Sequence, residues 1–101
     1  MGTKITKSDE RITVIPDYNL DTKGSADLQN AMNEILEGGA NTRIVIDFSS
    51  VPFVSSAGLK VLLLAMKKIN AAGGALELHN VSDSIIEVFN VTGFSSILKI
   101  V

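Results

Sequence analysis

Short β-branched segments alternate with amphipathic helical segments along this chain, and that alternation restricts the possible fold most strongly. Residues 43–48 (RIVIDF) are apolar on both faces, as expected for a central strand that is covered on both sides. The helix-like segment 55–74 follows it closely. Strands that alternate with helices predict an α/β fold, in which a largely parallel or mixed sheet of four to five strands carries three main helices stacked beside it by right-handed crossovers.

Hydrophobic periodicity places the first elements. Residues 12–16 alternate like a strand that ends at its proline, and residues 3–6 are a candidate edge strand before it. Residues 17–24 are polar and contain glycine, which predicts a loop. An amphipathic helix should follow, with Ser25 as its N-cap and Gly38-Gly39 at its end. Its apolar stripe is formed by Leu28, Ala31, Met32, Ile35 and Leu36.

The C-terminal half predicts three further elements after the second helix, which should stop at Gly73-Gly74. Residues 75–79 (ALELH) form a strand pattern. Residues 82–90 predict a third helix that is broken at Thr92-Gly93, and residues 97–101 predict a short last strand. The inward side chains of the third helix should be those of Ile85, Ile86 and Phe89.

Length and composition exclude several classes of function. The 101 residues are one domain's worth of chain, so residues 1–101 are interpreted as a single domain. A net charge of −2 without a basic cluster argues against nucleic-acid binding. The chain has no cysteine and only scattered carboxylates, so we expect no metal and no cofactor. With no secretion signal and no membrane-length apolar run, the sequence predicts a cytoplasmic protein that does not insert into a membrane.

Two adjacent serines, Ser55 and Ser56, stand where the central strand gives way to the second helix. The first N–H groups of a helix lack internal partners, and the helix dipole makes that end partly positive. A serine there can cap the helix by accepting from a later N–H, or it can be a phosphoacceptor, since a helix N-terminus favours an anion. Both roles can coexist, with Ser55 as the cap and Ser56 as the modified residue.

The helix that follows predicts a second surface feature. On a helical wheel, one face carries the core residues Leu59, Leu62, Leu63, Ala65, Met66 and Ile69, and the opposite face carries Lys60, Lys67 and Lys68. Leu64 lies within the lysine arc, with Ala57 nearby and Val61 at its border. Single exposed apolar residues are ordinary. A contiguous Ala57–Val61–Leu64 patch beside Ser56 would instead suit the docking of another protein.

At these residues the sequence resembles a known family. VPFVSSAGLKVLL is similar to the signature of the bacterial anti-sigma factor antagonists, whose domain is called STAS. The similarity extends over roughly residues 4–100 through Leu20-Asp21, Asp47-Phe48-Ser49, Ala72-Gly73-Gly74 and Thr92-Gly93-Phe94. Ser55 stands at the usual acidic position of the motif, and Ala57 stands where a second hydroxyl is common.

The resemblance implies a STAS fold and a role in protein binding. Members of the family bind an anti-sigma factor that has serine kinase activity. Phosphorylation of the family member lowers its affinity for the anti-sigma factor, and a serine phosphatase restores that affinity. Ser56 matches the phosphoacceptor, Asp21 matches an acidic loop residue near it, and Gly58 and Leu59 match the start of the switch helix. The expected partner-binding residues are Asp21, Ser55, Ser56, Ala57, Gly58, Lys60, Val61 and Leu64. The domain should be a monomer or a weak dimer.

Two other functions are alternatives to this switch. A serine hydrolase needs a base beside its nucleophile. His79 is the sole histidine and is interpreted as an ordinary strand-terminal residue, and the Gly-x-Ser-x-Gly motif is absent. We therefore expect no enzymatic activity. The stronger alternative is a scaffold or adaptor, a STAS domain that binds its partners without being phosphorylated.

Overall fold

Five strands form one mixed sheet in the part of the chain that the computed structural model describes, residues 3–8, 11–38 and 43–101. In chain order the elements are β1 (Thr3–Lys7), β2 (Arg11–Pro16), α1 (Thr22–Glu37), β3 (Arg43–Asp47), α2 (Ser56–Ala71), β4 (Ala75–His79), α3 (Asp83–Thr92), a 3₁₀ turn (Phe94–Ser96) and β5 (Lys99–Ile100). The spatial order of the strands is the same as their chain order, with β1 antiparallel to β2 and each later pair parallel. The predicted α/β fold class is confirmed. None of the described helices is long and apolar enough to cross a membrane.

All three helices pack against one face of the sheet. Residues paired across parallel strands share a face, so Val14, Ile46 and Leu78 align on one side, and their chain neighbours point to the other. The first set belongs to a contiguous core together with Leu28, Met32 and Ile35 of α1, Leu59, Leu62 and Ile69 of α2, and Ile85 and Phe89 of α3. Val45, on the opposite face, is 2% exposed but lies outside that core. β3 is therefore buried on both faces, but the described helices cover one of them.

An aromatic pair fixes the chain where it leaves β3. Phe48 directly follows the strand, and its ring meets that of Phe89 on α3 edge to face, with centroids 6.5 Å apart and planes at 82°. Both side chains are buried. Such pairs contribute about 0.5–1.5 kcal/mol beyond the burial of their surface. The first residue of the loop that leads to α2 is therefore anchored in the core by its side chain.

The start of α1 differs from the prediction. The helix begins at Thr22 and is capped by Asp21, whose Oδ1 accepts from the Gly24 N–H at 2.9 Å. Residues 22–24 are thus helical rather than loop, and Ser25 lies inside the first turns rather than at the cap. A side chain at Gly24 would place its Cβ 1.8 Å from the Asn19 carbonyl oxygen, so glycine permits the close approach of the preceding segment.

The other element ends agree closely with the sequence. α2 begins at Ser56 after the cap Ser55, and Gly73, at φ 87°, follows its end. α3 runs two residues past the predicted 82–90 and stops at Gly93, whose φ is 82°. The last strand is shorter than the predicted 97–101, since β5 consists of Lys99–Ile100 alone and follows a 3₁₀ turn at Phe94–Ser96. For α1, Gly38 is the C-cap and Gly39 lies outside the described residues.

Candidate functional site

The segment before α1 and the segment before α2 are joined side by side. Leu20 and Val54 form a parallel bridge, and the Leu20 N–H donates to the Phe53 carbonyl oxygen at 2.9 Å. In return the Ser55 N–H donates to the Leu20 carbonyl oxygen at 2.8 Å. Because Asp21 follows Leu20 and Ser56 follows Ser55, these bonds bring the loop of Asp21 and the N-terminus of α2 to the same place on the surface.

Ser55 fastens this junction as well as capping the helix. Its Oγ donates to the Leu20 carbonyl oxygen at 2.8 Å and accepts from the Gly58 N–H at 3.3 Å. The capping role predicted for Ser55 is therefore confirmed. Ser56, the first residue of α2, is exposed, and so is Asp21. The hydroxyl of Ser56 is accessible at the end of the helix where the free N–H groups lie.

Gly58 belongs to the packing of the site rather than to its surface. It is buried, and a Cβ built on it would lie 2.8 Å from the Leu20 carbonyl oxygen and 2.9 Å from the Leu20 Cβ. The absence of a side chain is what lets α2 approach the Leu20 segment. Its expected part in partner binding stays a prediction.

The apolar patch expected on α2 is narrower than the wheel predicts. Ala57 is half-buried and Leu64 is 38% exposed, but Val61 is 8% exposed and belongs to the core. Val61 is buried because α2 packs against α1 as well as against the sheet. Lys60 is exposed, as predicted.

A groove between the first turns of α1 and α2 takes the place of a continuous patch. Its volume is about 310 Å³, and it is lined by Thr22, Ser25, Ala26 and Gln29 of α1 and by Ala57, Lys60, Val61 and Leu64 of α2. Four of the residues expected to bind a partner line this groove or its rim next to Ser56. The residues contributed by α1 were not identified from the sequence, because the groove arises from the packing of α1 against α2, which the sequence did not predict.

Phe53 is a further surface residue that the site prediction omitted. It is 52% exposed, although large aromatic side chains are usually buried. It immediately precedes Val54 and Ser55 in the segment that pairs with Leu20. The signal in the sequence that could have identified it is its own position, since Phe53 is an aromatic residue directly before the junction.

A second groove is lined in part by Asp21. It has a volume of about 470 Å³ and is lined by Asp17, Tyr18, Asn19, Asp21, Lys23, Gly24 and Asp27. The Tyr18 hydroxyl hydrogen-bonds Thr3 of β1, and burial raises the pKa of Tyr18. The surface around Asp21 is therefore rich in carboxylates.

His79 is the last residue of β4, as predicted, and it also belongs to a hydrogen-bonded cluster around Glu77. Its Nε2 lies 3.0 Å from Oε1 of Glu77, a side chain on the sheet face opposite the core. Glu77 also binds Arg43 Nη2 at 2.7 Å and Lys99 Nζ at 3.4 Å. The hydrogen bonds from Arg43 and His79 lower the pKa of Glu77 to about 2. The imidazole is thus paired with a carboxylate rather than with either serine of the junction.

The whole described fold matches one family model. The STAS domain model matches residues 3–101. The chain belongs to the STAS domain family. A curated relative, the anti-sigma-B factor antagonist of Bacillus subtilis, is 31% identical over 81 residues, which are 80% of this chain and 72% of that protein. BtrV of Bordetella bronchiseptica is 38% identical over 58 residues, 57% of this chain and half the length of BtrV.

Solved structures share the architecture. A crystal structure from Thermotoga maritima superposes with a TM-score of 0.88 at 23% identity, covering 97% of this chain and 84% of that one. The anti-sigma factor antagonist SpoIIAA in its unphosphorylated form has a TM-score of 0.76 at 21% identity, covering 99% and 87%. At such identities the likeness concerns the fold, and it confirms the STAS architecture indicated by the sequence.

Proposed function

We propose that this chain is an anti-sigma factor antagonist, which binds an anti-sigma factor that has serine kinase activity and is switched off when that kinase phosphorylates Ser56. A serine phosphatase would reverse the modification. The proposal places the protein in the cytoplasm and assigns it no catalytic step. It is supported by the names of its curated relatives and by the geometry of the junction described above.

The observation that carries the proposal is the pairing of the Leu20 and Ser55 segments. It holds an exposed serine at the N-terminus of a 16-residue helix beside the loop that bears Asp21. The capping function is already performed by Ser55, so the Ser56 hydroxyl has no such role. Ser56 can therefore be modified without loss of the cap.

The charge of the phosphate explains how modification would release the partner. Phosphoserine carries about −1.5 to −2 charges. Free in water, that charge is tolerated at the helix N-terminus, where the dipole favours anions. In a contact it must be desolvated next to the Asp21 carboxylate, and a buried charge without a paired cation costs several kcal/mol. Since about 1.4 kcal/mol corresponds to a tenfold change in affinity, the switch requires no change in shape.

The test compares Ser56→Asp, Ser56→Ala and the wild type in binding to the purified anti-sigma factor of the same organism. We expect Ser56→Asp to bind at least tenfold more weakly, and Ser56→Ala to bind about as tightly as the wild type. Ser84→Asp is the matched control, because Ser84 is also an exposed serine in the first turn of a helix. Equal affinities for all four proteins would refute the switch.

Direct detection of phosphate on the protein is a second test of the switch. The wild type is incubated with the anti-sigma factor and ATP, and the phosphorylated residue is located by mass spectrometry. Phosphate on Ser56 that is lost in Ser56→Ala supports the switch. Tight binding without any phosphorylation supports the alternative, a STAS scaffold. That alternative is motivated by Ser55 and Ala57, which stand where the family motif usually has an acidic residue and a second hydroxyl.

A further inference from the structure

The sheet face opposite the helices carries basic side chains from four of the five strands. The strand register places on this basic face the residues that alternate with the core positions, and the described helices cover the other face. Its basic residues are exposed and lie far apart in the sequence: Lys4, Arg11, Arg43 and Lys99. The acidic residues of the described strands on this face are Asp47 and Glu77, so it retains an excess of two positive charges. The whole chain carries −2, and its other residues therefore carry an excess of four negative charges.

The positive charge of the basic face is only partly balanced within the molecule. Lys4 and Arg11 form no ion pair with the described residues. Arg43 and Lys99 share the carboxylate of Glu77, and 45% and 67% of their side chains stay exposed. Arg11 also lies directly opposite Arg43 in the register of β2 and β3, where like charges repel. An acidic surface placed against this face would relieve that repulsion.

The same chain presents a surface of the opposite charge in the groove of about 470 Å³ next to the start of α1, here called the acidic groove. Among the described residues that line it, one is basic, Lys23, and three are exposed carboxylates: Asp17, Asp21 and Asp27. These carboxylates form no ion pair with any residue that the structure describes. Tyr18 lines the groove as well, and an aromatic ring attracts a cation. The groove therefore suits the side chain of a lysine or an arginine.

We propose that the basic face docks against the acidic groove of a second copy of this chain. The contact joins two different surfaces, so it is head-to-tail and further copies can add at either end. A nucleic acid fits the basic face less well, because Asp47 and Glu77 interrupt its positive charge. Exposed ion pairs are individually weak and are screened by salt, so the association requires concentrated protein and low ionic strength. The inference is independent of the proposed function, although the contact covers the loop that bears Asp21.

Sedimentation velocity of the wild type is the first test. The protein is measured from about 20 μM to about 1 mM, in about 20 mM and in about 500 mM NaCl, which shortens the range of electrostatic interactions several-fold. We expect the weight-average mass to rise with protein concentration in the dilute salt and to remain that of the monomer in the concentrated salt. A monomer under every condition, or association that salt does not weaken, overturns the inference.

Two neutralised variants test which surfaces meet. Lys4→Gln/Arg11→Gln removes charge from the basic face, and Asp17→Asn/Asp27→Asn removes it from the acidic groove. Each variant alone should self-associate at least about fivefold more weakly than the wild type. A mixture of the two keeps one intact basic face and one intact acidic groove, so it should form a 1:1 pair and nothing longer. A mixture that stays monomeric while the wild type associates overturns the head-to-tail contact.

Matched variants separate this contact from a general effect of net charge. Lys67→Gln/Lys68→Gln removes two positive charges from exposed positions of α2, and Glu34→Gln/Glu37→Gln removes two negative charges from exposed positions of α1. Neither pair lies on the basic face or lines the acidic groove. Both variants should self-associate within about twofold of the wild type. A loss equal to that of the neutralised variants would overturn the inference and leave the proposed function intact.

Discussion

The carbonyl oxygen of Leu20 accepts two hydrogen bonds from Ser55, one from the backbone N–H and one from Oγ, each 2.8 Å long. The two residues are 35 positions apart, and they connect the segment before α1 to the cap of α2. This contact holds the loop that bears Asp21 against the N-terminus of α2, where Ser56 lies. Weakening it should loosen the site before it disturbs the core.

Ser55→Ala should cost more stability than the loss of an ordinary cap. Removing a serine cap costs about 0.5–2 kcal/mol, and the lost bond to Leu20 adds about 1 kcal/mol. Ser82→Ala is the matched control, since Ser82 caps α3 by accepting from the Ile85 N–H and forms no comparable bond to a distant carbonyl. Urea unfolding should show Ser55→Ala to be the less stable variant; equal losses would mean that the bond to Leu20 contributes nothing.

Gly58→Ala should destabilise the protein although alanine is the better helix former. Alanine gains about 1 kcal/mol in helix propensity, but its Cβ would meet the Leu20 carbonyl oxygen at 2.8 Å and must push the segments apart. Overpacking of this kind costs about 1–3 kcal/mol.

Gly38→Ala is the control for this glycine, because its Cβ would meet its neighbours no closer than 3.5 Å. The unfolding free energy should therefore fall for Gly58→Ala and stay nearly constant for Gly38→Ala. A Gly58→Ala protein as stable as the wild type would contradict the close approach of α2 to Leu20.

Ser56→Asp should leave the fold intact while it weakens binding. The new carboxylate lies in the first turn of α2, where the helix dipole favours an anion by about 0.3–1 kcal/mol, and repulsion from Asp21 opposes that gain. We expect the unfolding free energy measured in urea to change by less than about 1 kcal/mol. A large loss of stability would mean that reduced binding reports unfolding rather than charge.

Glu77→Gln should lower stability at neutral pH by about 1–3 kcal/mol. The variant loses the charged partner of Arg43, His79 and Lys99, although Arg43 and Lys99 keep much of their hydration because 45% and 67% of their side chains are exposed. Glu34→Gln is the control, since Glu34 is an exposed carboxylate of α1. Unfolding in urea at pH 7 should separate the two variants.

The effect of Glu77 should disappear in acid. The pKa of Glu77 is lowered from 4.5 to about 2, so its contribution to stability is complete above pH 4.5 and is lost as the pH falls towards 2. Urea unfolding at several pH values should therefore show the wild type and Glu77→Gln converging between these limits. A constant difference between them at every pH would show that folding does not lower the pKa of Glu77.

Local sequence was sufficient for the parts of the site that depend on neighbouring residues. Ser55 is followed by Ser-Ala-Gly and then by a long apolar helix, and both the cap and the exposed Ser56 follow from that order. The alternation of strands and helices likewise determined the fold class, because buried strands and amphipathic helices have different periods.

The remaining features depend on contacts between distant segments. The first turn of α1 has no apolar stripe, and its start at Thr22 depends on Asp21 and on room beside Gly24 for the Asn19 carbonyl. Val61 lies on the border of a wheel drawn for one buried face, yet α1 buries it from the side. The register of β4 with its neighbours gathers Arg43 and Lys99 around Glu77.

The sequence by itself determined the types of the elements, their order and the residue that caps α2, because propensity, periodicity and capping act over a few neighbouring residues. The tertiary structure alone decided that Leu20 meets Ser55, that a groove opens between α1 and α2, and that the Ser25 hydroxyl is buried in it without a partner. Those features arise where separate elements pack together, and each depends on how closely two backbones approach.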